Sequence, residues 1–136
     1  MGAGHYVPIF NAIELQSVSP IIANDLRSSV RDALVAKIVE RSNSPSGYTI
    51  KLISENGARG TSAALRNDQQ GTLVPYHLSY GGQPVRFTNG RAEINRARAP
   101  RSERSREEEL RISAEGSDRL PTGEYSDTLI IAVTAR

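Results

Sequence analysis

Short segments rich in β-branched residues recur along the chain, separated by glycine, proline and asparagine turn signals. Residues 6–18, 33–40, 47–54, 72–80, 84–88, 108–113 and 124–135 read as strands, and that succession predicts an all-β fold. Within 48–54 the order Tyr-Thr-Ile-Lys-Leu-Ile-Ser puts Tyr48, Ile50 and Leu52 on one face, the alternation of a half-buried strand. Asn56-Gly57 then turns the chain. Gly81-Gly82 joins 78–80 to 83–87 as a hairpin, because successive glycines accept the positive φ a tight turn demands. Leu26, Val30, Ala33, Leu34 and Lys37 also approximate helical spacing behind a capping Asn24 or Asp25. The favoured reading is a loop feeding a strand at 33–40, since Val35, Ile38 and Val39 suit a pleated surface.

With 136 residues the chain suits one domain, and it shows no internal repeat of solenoid or propeller length. Its zero cysteines exclude a disulfide scaffold, a thiolate zinc site and a cysteine nucleophile. His5 and His77 are the only imidazoles, too far apart for a metal site to be argued from spacing, so no metal and no cofactor are expected. No Gly-x-Ser-x-Gly elbow presents a serine, and His77 alternates with Tyr76 and Leu78 as a strand-face side chain. Gly57-Ala-Arg-Gly-Thr-Ser lacks the lysine and the following helix of a phosphate loop. The expectation is a protein that is not an enzyme.

Lys+Arg 17 against Asp+Glu 15 leaves a net charge of +2, too balanced to imply a polyanionic partner. Residues 91–106 concentrate arginine, carry almost no apolar side chain beyond Ile94 and then turn acidic at Glu107, Glu108 and Glu109. They read as a solvated loop. Without stacking aromatics the segment does not fit a single-strand binder, and no nucleic-acid partner is expected. No apolar run is long enough to span a bilayer as a helix.

The end of the chain is the most informative part. Gly123-x-Tyr125-x-Asp127 fits the corner that precedes strand F of immunoglobulin-like sandwiches, where glycine permits the bend and the tyrosine hydroxyl ties back to upstream backbone. The strand that follows places Leu129, Ile131 and Val133 on one face, and no strand G comes after it. A sandwich short of that strand exposes unpaired backbone beside apolar core, and a donated strand from another segment satisfies both. In 5–15, Val7, Ile9, Ile13 and Leu15 alternate, which suits either a donor strand or an ordinary first strand.

Four pieces carry a family likeness: Glu40-Arg-Ser-Asn-Ser-Pro-Ser-Gly-Tyr-Thr-Ile-Lys-Leu-Ile-Ser-Glu-Asn-Gly57, Val74-Pro-Tyr-His-Leu-Ser-Tyr-Gly-Gly-Gln-Pro-Val85, Leu110-Arg-Ile-Ser113 and Leu120-Pro-Thr-Gly-Glu-Tyr-Ser-Asp-Thr-Leu129. In this order they resemble the spore-coat-U-type domain, which is similar to the subunits of archaic chaperone–usher pili. The resemblance implies a pilin-like, antiparallel immunoglobulin-like sandwich over 19–136 that lacks its final strand, preceded by an extended segment over 1–18. It implies Val7, Ile9 and Ile13 as donor side chains, Leu129, Ile131 and Val133 as acceptor groove, and Gly123, Tyr125 and Asp127 as corner residues. The implied partners are neighbouring fibre subunits, a periplasmic chaperone and an outer-membrane usher. The implied location is the cell surface, reached through the periplasm, with the export signal expected to be missing from this sequence. The cysteine pair of many relatives is absent here. The alternative reading is a surface adhesin that stacks Tyr6, Tyr76 or Tyr80 on carbohydrate.

Overall fold

The structure is a computed structural model, and it describes residues 11–18, 21–59, 62–97 and 105–135. Its strands are β1 (Asn11–Val18), β2 (Ile22–Asn24), β3 (Val30–Ser42), β4 (Tyr48–Ser54), β5 (Ala64–Asn67), β6 (Leu73–Tyr80), β7 (Gln83–Val85), β8 (Arg91–Arg96), β9 (Arg106–Ala114), β10 (Glu124–Ser126) and β11 (Leu129–Ala135). Every pairing is antiparallel. The larger sheet runs β1-β3-β9-β6-β5-β10-β2, with β7 added on β6, and the smaller runs β11-β4-β8. The fold is therefore all-β, a two-sheet sandwich, and no helix among the described residues is long and apolar enough to cross a membrane.

Alternation decides which face turns inward. In β6, Val74, Tyr76, Leu78 and Tyr80 are buried, while Leu73, Pro75 and His77 face out. In β4, Tyr48, Ile50 and Leu52 meet Leu110 and Ile112 of β9 and Ile38 of β3 in one core. Gly81 (φ 59°) and Gly82 (φ 80°) make the β6–β7 turn, in a backbone region that side chains disfavour. At the helix-like stretch, the chain turns at Asp25 and enters β3 at Val30, with register shifts between Val30 and Ala33 and between Leu34 and Ala36. Those irregularities disturb the period-2 pattern and produce the helical look of the sequence.

Two sequence expectations are corrected and two strands are added. Residues 91–106 are not one loop: Arg91–Arg96 forms β8, with Ala92 buried and Ile94 half-buried while Arg91, Glu93 and Asn95 face water. The alternation is real but hidden by arginine, whose stem tolerates a sheet surface when the head finds a partner or solvent. Residues 124–135 are not one strand: β10 belongs to the larger sheet and β11 to the smaller, and the chain crosses over at Asp127 and Thr128. Short β2 and β5, not expected from sequence, complete the larger sheet on either side of β10.

Candidate functional site

The corner before β11 is built from its own segment. The Tyr125 hydroxyl donates to the Pro121 carbonyl at 2.5 Å, and its ring is fully buried. Gly123 has φ 119°, and its N–H donates to Asp25 Oδ1 at 2.6 Å. A Cβ at Gly123 would stand 3.0 Å from Asp68 Oδ1, so backbone angle and space both favour glycine. Asp127 does more than shape the turn. Its Oδ2 accepts hydrogen bonds from Ser54 Oγ (2.7 Å) and Tyr76 Oη (2.5 Å), and its Oδ1 accepts from the Asn56 N–H (3.2 Å). One carboxylate thus stitches β4 of the small sheet to β6 of the large one where the chain changes sheets.

β11 leaves that corner with Leu129, Ile131 and Val133 half-buried against the core, and with Ile130, Ala132 and Thr134 outside. Its inner residues lie opposite Ser54, Leu52 and Ile50 of β4. Its other edge has no ladder partner among the described residues. β1 is likewise terminal in the larger sheet, paired among the described residues only to β3. Between these two terminal strands lies an apolar pocket of about 70 Å³, lined by Leu15 of β1, Leu129 and Ile131 of β11, and Ile21, Val35, Ala36 and Leu110. Leu15 is 49% exposed, high for a leucine beside the core.

The chain matches no protein-family model and no curated protein.

The candidate residues therefore divide. Leu129 and Ile131 come together with Leu15 and Ile21 at the seam, and Val133 continues the same inner face of β11. Ile13 lies in β1 opposite Glu40 of β3, as part of a first strand. Val7, Ile9 and Tyr6 lie outside the described residues. Tyr76 and Tyr80 are 1% and 3% exposed with their hydroxyls engaged, so neither offers a ring to a sugar.

A second polar centre sits at the other end of the core, and no sequence signal announced it. Glu40 of β3 is fully buried. Its oxygens accept from Tyr48 Oη and Tyr80 Oη, each at 2.6 Å, and from Arg96 Nε and Nη2 at 3.1 and 3.0 Å. Arg96 also approaches Glu108 at 3.8 Å and lies 5.8 Å from the Tyr80 ring centroid. Burial alone would raise the Glu40 carboxyl, but the hydrogen bonds from Arg96, Tyr48 and Tyr80 outweigh it and hold the group below its ordinary value. Burial, followed by the bond to Glu40, pushes both tyrosine hydroxyls well above theirs. Among the described residues every buried side-chain nitrogen and oxygen has a partner. Tyr80 and Arg96 are 40 and 56 residues from Glu40, so only tertiary packing reveals the cluster.

This centre borders the opposite seam. β7 and β8 face one another across a depression of about 210 Å³, lined by Tyr80, Gln83, Pro84, Val85, Arg86, Glu93, Ile94 and Arg96. Pro84 lacks an N–H for a ladder, and charged heads crowd the opening. This edge discourages strand addition. Among the described residues, no group of three or more histidine, aspartate or glutamate side chains is placed to hold a metal ion.

Proposed function

We propose that the protein is a structural subunit of a secreted fimbria or coat, assembled by accepting and donating β-strands. In this reading the sandwich is an immunoglobulin-like domain without its last strand, β11 is strand F, and the seam between β1 and β11 is the acceptor. The observation that carries it is an edge of β11 with no ladder partner among the described residues, beside an apolar seam lined by Leu129 and Ile131. An unpaired, uncharged strand edge over exposed core is an association template, and an added strand covers both its backbone and its apolar pockets. The Tyr125 corner and the family-like motifs support the same reading.

The donor is the segment before β1, with Val7 and Ile9 as its apolar side chains; Ile13 is already engaged by β3 of its own chain. The neighbours are further subunits, and the delivery route is a periplasmic chaperone and an outer-membrane usher. The fibre role is structural and requires no catalytic step.

Size-exclusion chromatography with light scattering tests this. The full chain forms multimers, whereas a chain lacking residues 1–10 stays monomeric and takes up a synthetic peptide of residues 1–11. Ile131→Lys places an ammonium in the apolar seam and abolishes uptake. Undiminished multimers from the truncated chain overturn the donor assignment. A full chain that neither multimerises nor takes up the peptide overturns the acceptor reading.

A further inference from the structure

The seam between β1 and β11 is narrower than a vacant strand position. Neighbouring strands lie about 4.8 Å apart, so a strand inserted between two others holds them about 9.6 Å apart. Several Cα atoms of β1 and β11 come within 8 Å of each other, although no ladder joins the two strands. The pocket left between them is correspondingly small, about 70 Å³, and Leu15 of β1 and Leu129 and Ile131 of β11 all line it.

β1 is built to lean. Its register on β3 slips between Leu15 and Ser17, a bulge that bends a strand and increases its twist. Leu15, the last residue before the slip, lines the pocket yet stays half exposed. An edge strand held by one ladder, with a bulge beside the seam, can be drawn sideways over apolar core at the cost of few hydrogen bonds. What drives it there is the apolar surface of Val35, Ala36, Leu110, Leu129 and Ile131, which water would otherwise wet.

We propose that β1 is a self-cap: in the isolated chain it leans across the seam, covers part of the acceptor surface without bonding to β11, and must move aside before a strand is captured. The inference rests on the acceptor reading above and adds a control to it. Capture then exchanges the cover that Leu15 gives the seam for a full ladder on β11. The cap keeps an unfilled subunit from pairing indiscriminately through that edge.

The absence of native cysteine makes a disulfide test clean. In Leu15→Cys/Ile131→Cys both thiols line the pocket, and mild oxidation locks the cap. Uptake of a fluorescent peptide of residues 1–11 is followed by anisotropy for the oxidised and reduced variant and for the unmodified chain. The oxidised variant takes up peptide at least an order of magnitude more slowly than the reduced one, and oxidant leaves the unmodified chain unaffected. Ile13→Ala, which loosens β1 on the core and leaves the residues of β11 unchanged, speeds uptake several-fold. Equal rates in the oxidised and reduced variant, failure of the disulfide to form, or no acceleration by Ile13→Ala each overturn the cap while the acceptor reading stands. No uptake by the unmodified chain or any variant, in a full chain that also forms no multimers, removes the acceptor reading and the cap with it.

Discussion

The two seams of the sandwich are closed by opposite chemistry. Between β1 and β11 the walls are aliphatic, and no hydrogen-bond ladder crosses. Between β7 and β8 the walls carry Arg86, Glu93 and Arg96, and behind them a buried carboxylate ties both sheets together through Tyr48, Tyr80 and Arg96. Apolar contact is non-directional, so the first seam can open and refill with another strand of suitable pattern. Charge-assisted hydrogen bonds demand geometry, so the second seam holds one arrangement. In the proposed assembly, the exchangeable side of the domain is the apolar one and the clasped side stays fixed.

The sharpest way to break this comparison is to remove the lock. Arg96→Met leaves Glu40 buried with only its tyrosines, and the loss of the charge partner costs about 3–5 kcal/mol in urea unfolding. A loss below about 1 kcal/mol would show that the clasp is ornamental.

Next comes pH, which acts through the clasp and through Tyr76 at the corner before β11, whose hydroxyl is pushed up by burial and by its bond to Asp127. The Glu40 carboxyl lies below its ordinary value of 4.5 in the folded state, so its contribution is present above 4.5 and is lost as pH falls through the lowered folded value. The Tyr48 and Tyr80 hydroxyls lie above their ordinary 10.0, so their contribution is present below 10.0 and is lost as pH rises beyond it. Thermal unfolding is therefore most resistant between those limits and weakens outside them. In Glu40→Gln the acid-side decline becomes shallower; an unchanged acid limb would place its origin elsewhere.

Ile131→Ala probes the apolar seam. Half-buried at an edge, Ile131 is worth about 1–2 kcal/mol, and its loss lowers the stability curve by the same amount at every pH. A pH-dependent loss would mean that the two seams are coupled. Smallest of all, Arg86→Gln at the exposed mouth of the polar seam changes stability by no more than about 0.5 kcal/mol, because the clasp and not the rim carries the lock.

Much of this fold was legible in local pattern. The alternation of 48–54 announced β4, Gly81-Gly82 announced the hairpin, and Gly123 with Tyr125 announced a corner whose hydroxyl bond spans only four residues. The inward face of Leu129, Ile131 and Val133 followed from period 2. Other features resisted for physical reasons. β8 was hidden because an arginine-rich strand looks like a loop until Arg96 finds Glu40. β2 and β5 are too short to show a period. The break between β10 and β11 was invisible because Asp127 is anchored by Ser54 and Tyr76, far from it in sequence.

By itself the sequence determined the β-class, the hairpin, the tyrosine corner and the inward face of the last strand, because each depends on residues a few positions apart. Tertiary structure alone decided which strand edges meet, which seam is apolar and which is clasped by charge, and where β1 comes to rest. Those outcomes depend on side chains that share a neighbourhood only after the two sheets have packed.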